Sequence, residues 1–154
     1  MSADLEDVQA WAAGLLARLT PTERKKVNRA IAAELRRDQS QRITAQKDPD
    51  GMPYAPRKPR KNLRGKKGHI KRKMFARLKT AKHLRIQATS DDALVGFTGR
   101  AGRVAMVHQQ GLRDRAAPGA PDVRYPVRRL LGFNDDNRAR ILDALAAHLA
   151  GLGM

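Results

Sequence analysis

Apolar positions recur at helical spacing at both ends of the chain and alternate in its middle. Within Asp4–Leu19, the residues Leu5, Val8, Trp11, Leu15 and Leu19 form one helical stripe. Thr20-Pro21-Thr22-Glu23 follows, with a capping Thr, Pro at the first helical position and Glu three residues after the Thr. It starts a second helix with Val27, Ile31, Leu35 and Ile43 on one face. Continued to about Lys47, that helix spans roughly 40 Å at ~1.5 Å per residue. A small core cannot cover that length, so its distal half is expected to meet another surface. Asp48-Pro49-Asp50-Gly51 ends it as a turn. Leu84, Ile86 and Ala88 alternate with Arg85, Gln87 and Thr89, which predicts a half-buried strand. Ser90-Asp91-Asp92 turns the chain into a returning strand over Leu94–Thr98. Ala101–Gln110 reads as a short helix with Val104 and Val107 inward and Gly111 as its stop. Leu112–Pro121 reads as a loop, and Val123–Leu131 as an edge strand, the only kind that tolerates Pro126. Asn134 is placed to cap a last helix, with Asp135 and Asp136 in its first turn. Its apolar face is Ile141, Leu142, Leu145 and Leu149, and Gly151 closes it. The sum is an α+β fold: an N-terminal helical hairpin, an arm, a small antiparallel sheet with a short helix, and a C-terminal helix.

Length and charge sharpen this picture. The 154 residues fit one domain, 1–154. Cysteine is absent, which excludes disulfides, thiolate catalysis and Cys-type zinc sites. No apolar run approaches the ~18 residues of a membrane span, and no signal pattern opens the chain, so synthesis and assembly in a cytoplasm are expected. Lys and Arg number 32 against 15 Asp and Glu, a formal charge of +17. Residues 1–47 carry nine basic and six acidic groups, and residues 91–154 carry nine and seven. The middle, 48–90, carries fourteen basic groups against Asp48 and Asp50 alone. This segment contains Pro49, Pro53, Pro56 and Pro59, which exclude a regular helix, so a basic arm is expected at 49–73.

The arm is the main functional signal. Arg57, Lys58, Arg60, Lys61, Arg64, Lys66, Lys67, Lys71, Arg72 and Lys73 are the candidate contacts to DNA or to an acidic protein partner. Closely spaced cations displace condensed counterions from a phosphate backbone and give salt-sensitive, sequence-independent attraction. The run from Arg57 to Lys73 holds no Phe, Tyr or Trp to stack on bases, which argues against a single-strand platform. Other chemistry is thin. Asp48-x-Asp50-Gly51 lacks the Gly and Glu that a calcium loop needs at its sixth and twelfth positions, so a turn is expected there. Gly96, Gly99 and Gly102 lack phosphate-loop spacing and read as strand-end and turn glycines. His69, His83, His108 and His148 share no metal-ligand spacing. His108 reads as a partly buried, satisfied side chain beside a helix end. No catalytic grouping stands out, and neither an enzyme, a metal nor a cofactor is expected.

Several blocks carry a family resemblance. Arg42-Ile43 with Gln46-Lys47-Asp48-Pro49-Asp50-Gly51-Met52-Pro53-Tyr54, then Ile70-Lys71-Arg72-Lys73-Met74-Phe75 and Val95-Gly96-Phe97-Thr98-Gly99-Arg100, resemble the phage virion-morphogenesis (tail-completion protein S) family of Mu-like and related tailed phages. So do Val107-His108-Gln109-Gln110-Gly111-Leu112 and Arg124-Tyr125-Pro126-Val127-Arg128-Arg129-Leu130-Leu131-Gly132-Phe133. The blocks run in order over roughly residues 5–150. Asn134 stands where the family pattern suggests Ser or Thr, and all three cap helices. The resemblance implies a non-enzymatic virion component at the head-proximal end of the tail, acting in head–tail joining as a ring-shaped homo-oligomer. Its implied partners are further copies of itself, the tail tube or terminator, head-completion or connector proteins, and double-stranded DNA in the lumen. Arg124, Tyr125, Arg128 and Arg129 are the candidate subunit interface. The alternative from another class is a small basic nucleic-acid-binding protein, although no helix-turn-helix, RNA-binding or zinc-finger pattern supports it.

Overall fold

The computed structural model describes residues 19–58 and 73–152, with Glu6, Asp7, Gln9, Ala10, Ala13, Gly14 and Ala17 ahead of them. These seven residues are all helical, as expected of the first helix, whereas Leu5, Val8, Trp11 and Leu15 lie outside the described residues. The elements that follow are α1 (Pro21–Thr44), β1 (Leu84–Ala88), β2 (Ala93–Phe97), α2 (Gly99–Gln110), β3 (Arg113–Arg115), β4 (Asp122–Arg124) and α3 (Asp135–Leu152). The strands form two separate two-stranded antiparallel sheets, β1–β2 and β3–β4. The fold class is α+β.

α1 begins as its sequence dictates: Thr20 Oγ1 accepts a bond from the Glu23 amide at 3.2 Å, satisfying a donor that the helix cannot. It ends three residues earlier than its periodicity suggests. Gln46 adopts a left-handed φ of 58°, and the Gln46 and Lys47 amides bond back to Ile43 O and Arg42 O, a Schellman stop built without glycine. The turn after it is stapled by Asp48 Oδ1, which accepts from the amides of Asp50 and Met52 at 2.9 Å each, while Gly51 takes a φ of 85°.

Two compact units divide the chain. The first comprises residues 1–35, 86–95 and 135–154. Val27, Ala32 and Leu35 of α1 are buried in it. Asn28 Nδ2 donates to Thr89 O at 2.9 Å, and Glu34 and Glu23 of α1 pair with Arg140 at 3.8 Å and His148 at 3.3 Å. In α3, Ile141, Ala144, Leu145, His148 and Leu149 form the half-buried face. Leu142 does not belong to it: it is 65% exposed, which corrects the expected face. Gly151 does not close α3 either, since the helix runs on to Leu152.

The second unit comprises residues 36–85 and 96–134. Its core is Ile43, Tyr54, Met74, Ala105 and Leu130, with Phe75, Leu78 and Phe97 packed against it. Ile43 is fully buried and Gln39 nearly so, which overturns the expectation that the distal half of α1 projects toward another surface. In α2 the inward residues are Ala101, Ala105 and Val107; Val104 is exposed, contrary to expectation. Gly111 ends α2 at φ 65°, where a Cβ would sit 2.8 Å from Val127 Cγ2. The expected edge strand over Val123–Leu131 is corrected to three residues, Asp122–Arg124, paired with β3 in register Arg113↔Arg124, Asp114↔Val123 and Arg115↔Asp122. β3 itself lies where a loop was expected.

Candidate assembly site at the root of the basic arm

Arg57 and Lys58 are exposed at one end of the arm and Lys73 at the other. Arg60, Lys61, Arg64, Lys66, Lys67, Lys71 and Arg72 lie outside the described residues. What the structure resolves is how both roots of the arm are held.

The outgoing root is gripped by Arg128. Its Nε donates to Ala55 O at 2.7 Å, its Nη2 to Pro56 O at 3.0 Å and its Nη1 to His108 Nδ1 at 3.1 Å. Arginine only donates, so His108 Nδ1 is bare and its proton sits on Nε2. Burial, reinforced by Arg128 and Arg57, pushes the His108 pKa down to about 4, so the ring is neutral at physiological pH. The incoming root is gripped by Gln46, whose Nε2 donates to Met74 O at 2.9 Å and whose Oε1 accepts from the Met74 amide at 2.8 Å. Tyr54 N in turn donates to Gln46 O at 2.9 Å. A chain of edge-to-face rings then ties both roots to α2: Tyr54 to Phe75 at 5.8 Å, Phe75 to His108 at 4.8 Å, and His108 to Tyr125 at 4.8 Å. Phe75 holds a left-handed φ of 65°, like Gln46 across from it, a strain of order 1 kcal/mol for each non-glycine residue. The Tyr54 hydroxyl is pushed up to about 12 by the same burial.

Of the four candidate interface residues, Arg124 is exposed and Tyr125 half-buried against His108. Arg128 is 5% exposed and bound within its own chain. Arg129 pairs with Asp50 and, at 3.8 Å, with Asp48 in the turn after α1. Three glutamines complete the site, and no periodicity marks them. Gln46 serves Met74. Gln39 bonds the amide and carbonyl of Gly132 at 3.3 and 3.0 Å, and Gln109 accepts from the amides of Leu130 and Leu131 while donating to Leu131 O. Each side-chain amide stands in for a neighbouring strand, satisfying the polar backbone of a segment that has no ladder. The only sequence sign of this was Gln109-Gln110 ahead of the helix-ending Gly111.

The arrangement holds cations and backbone in place. Among the described residues no three His, Asp or Glu side chains are grouped to hold a metal ion. No helix among them is long and apolar enough to cross a membrane.

The blocks that build this root are those that carry the family likeness, and comparison with known proteins agrees. Residues 3–150 match the model of the phage virion morphogenesis family. Tail completion protein S of Escherichia phage P2 is 40% identical over 137 residues, covering 88% of this chain and 91% of that protein. No solved structure matches the chain. With nearly every residue inside the match, from the first helix into the last turn of α3, the chain belongs to the phage virion morphogenesis family.

Proposed function

We propose that this protein completes a phage tail as a structural, non-enzymatic component of the virion, assembling as a ring of identical subunits at the head-proximal end where tail and head join. One observation carries the reading beyond the family. The most cationic segment of the chain is internal and is held at both roots by half-buried polar contacts, from Arg128 to Ala55 and Pro56 and from Gln46 to Met74. A solvated tail needs no such holding; a segment that must present charge at a fixed place in an assembly does. Held there, Arg57, Lys58, Arg60, Lys61, Arg64, Lys66, Lys67, Lys71, Arg72 and Lys73 meet double-stranded DNA in the lumen or the acidic rim of a tail tube, terminator or connector protein. Arg124, Tyr125, Arg128 and Arg129 form the adjoining subunit contact, Arg124 and Tyr125 directly and the two buried or paired arginines by positioning the segment. The protein works in the virion after assembly in the host cytoplasm.

The test replaces Arg57, Lys58, Arg60, Lys61, Arg64, Lys66 and Lys67 with Ser or Gln and complements a phage lacking the gene. Heads and tails are expected to form without joining into infectious particles, while the purified variant melts as the wild type does. Normal infectivity overturns the role given to the arm. Loss of the melting transition makes the arm part of the fold instead.

A further inference from the structure

Charge is segregated between the two compact units. Residues 1–35, 86–95 and 135–154 hold seven basic and ten acidic side chains, a net of −3; residues 36–85 and 96–134 hold 25 and five, a net of +20. A molecule divided in this way is complementary to a second copy of itself when unlike parts meet, the head-to-tail arrangement that closes into rings.

One surface in the basic unit is built against its own stability. Tyr125 N donates to Leu112 O at 3.0 Å, so 112↔125 is a hydrogen-bonded pair of the β3–β4 ribbon and Arg113↔Arg124, next to it, is a non-hydrogen-bonded pair. Directly opposed side chains approach most closely at such pairs, and like charges there destabilise a ribbon. On the same face Arg115 is neutralised by Asp122 at 2.8 Å; among the described residues no acid pairs with Arg113 or Arg124. The opposite face turns Asp114 to Arg103 of α2 and Tyr125 to His108. By the same alternation Leu112 and Val123 lie on that opposite face, where they are exposed, as is Val127 beyond β4. An acid on the arginine face suits a protein surface, since it repels a phosphate backbone.

The acidic unit offers a matching projection. Asp91 and Asp92 are exposed at the tip of the β1–β2 hairpin, where Thr89 Oγ1 accepts from both of their amides at 3.2 and 2.9 Å and sets the turn. Exposed Leu94 follows them. Among the described residues Asp91 pairs with Arg24 alone, at 4.0 Å, between two exposed side chains. The tip thus carries two adjacent carboxylates and one aliphatic side chain on a short, internally bonded turn.

We propose that the β3–β4 ribbon of one copy receives the Asp91–Asp92 tip of the β1–β2 hairpin of the next, its carboxylates between Arg113 and Arg124. The contact rests on the self-assembly put forward above and assigns its chemistry. It also relieves the repulsion that each ribbon carries alone. The overall repulsion between two +17 chains is screened beyond ~8 Å at physiological salt, whereas opposed charges in contact are not.

Sedimentation velocity of the full chain at physiological salt tests it with charge exchange. Arg113→Glu/Arg124→Glu keeps a like-charge pair in the ribbon and so leaves folding nearly unchanged, yet is expected to weaken self-association about 100-fold or more. Asp91→Arg/Asp92→Arg is expected to do the same. The chain carrying all four exchanges regains association, a rescue that misfolding cannot mimic. Asp135→Arg/Asp136→Arg, in the same acidic unit, leaves association unchanged. A monomeric wild type overturns the self-assembly reading and this contact with it. An oligomeric wild type that is insensitive to the ribbon and tip exchanges, or loss without rescue in the four-fold variant, overturns the contact alone. A ribbon exchange that loses binding to duplex DNA while keeping self-association assigns the ribbon to nucleic acid and likewise overturns it.

Discussion

Single polar side chains decide how the irregular parts of this protein hold together. Gln39, Gln46 and Gln109 each bond the backbone of a segment that belongs to no ladder, and Arg128 does the same for Ala55 and Pro56. His108 is the member of this set that responds to pH. Its native pKa, about 4, lies below the ordinary 6.5, so the unfolded chain binds the proton more readily between those values. Its contribution to stability is therefore complete above pH 6.5 and lost as the pH falls toward 4. Urea titrations across that window are expected to show wild type weakening more steeply than His108→Gln, and equal slopes would remove the ring from the balance. Gly132 makes a second prediction. A Cβ there would lie 2.5 Å from Pro49 Cγ, and Asn134 Nδ2 holds the Pro49 carbonyl at 3.2 Å, so neither side yields easily. Gly132→Ala is expected to cost about 1–3 kcal/mol in the same titrations.

At the scale of elements, end signals proved more informative than apolar periodicity. The Thr20 cap stands where the capping pattern places it, and Thr20→Ala is expected to cost about 1 kcal/mol in thermal or urea melts. The stop of α1 was not readable, because Gln46 occupies a left-handed position that usually marks itself with glycine. On α3, period alone included Leu142, which the packing leaves exposed. Leu142→Gln is accordingly expected to shift stability by no more than ~0.5 kcal/mol, and a larger loss would return Leu142 to the core. β3 was invisible for a different reason: Arg-Asp-Arg carries no apolar alternation, and its strand exists through pairing with β4 and the Asp114–Arg103 contact.

At the scale of the whole molecule, charge is the dominant variable. A unit with a net of +20 repels itself, and ion pairs among its described residues such as Arg115–Asp122 and Arg129–Asp50 are exposed and contribute little. Added chloride should therefore stabilise the protein by screening, the reverse of what a fold held by surface ion pairs would show. Calorimetry from low to moderate NaCl is expected to give a rising Tm, with a smaller rise in the variant lacking seven arm charges. A falling Tm would mean that ion pairs outweigh repulsion.

The amino-acid pattern by itself determined the α+β class, the start of α1, the Asp48 turn, the first hairpin, the glycine stop of α2 and the concentration of charge in one arm. These are local: each depends on caps, turn residues or alternation within a few positions of itself. Its ordered blocks also determined the family. Tertiary structure alone decided that the distal half of α1 is core, that Leu142 and Val104 face water, and that residues 125–134 run without a strand. It also placed Arg128, read from sequence as a candidate subunit-interface residue, within the chain to grip Ala55 and Pro56. The reason is physical. A buried donor or acceptor must find a partner wherever the fold brings one, and the partners here lie 28 residues apart for Gln46 and Met74, 73 for Arg128 and Ala55, and 93 for Gln39 and Gly132. Such pairings follow from the assembled backbone, and no local pattern encodes them.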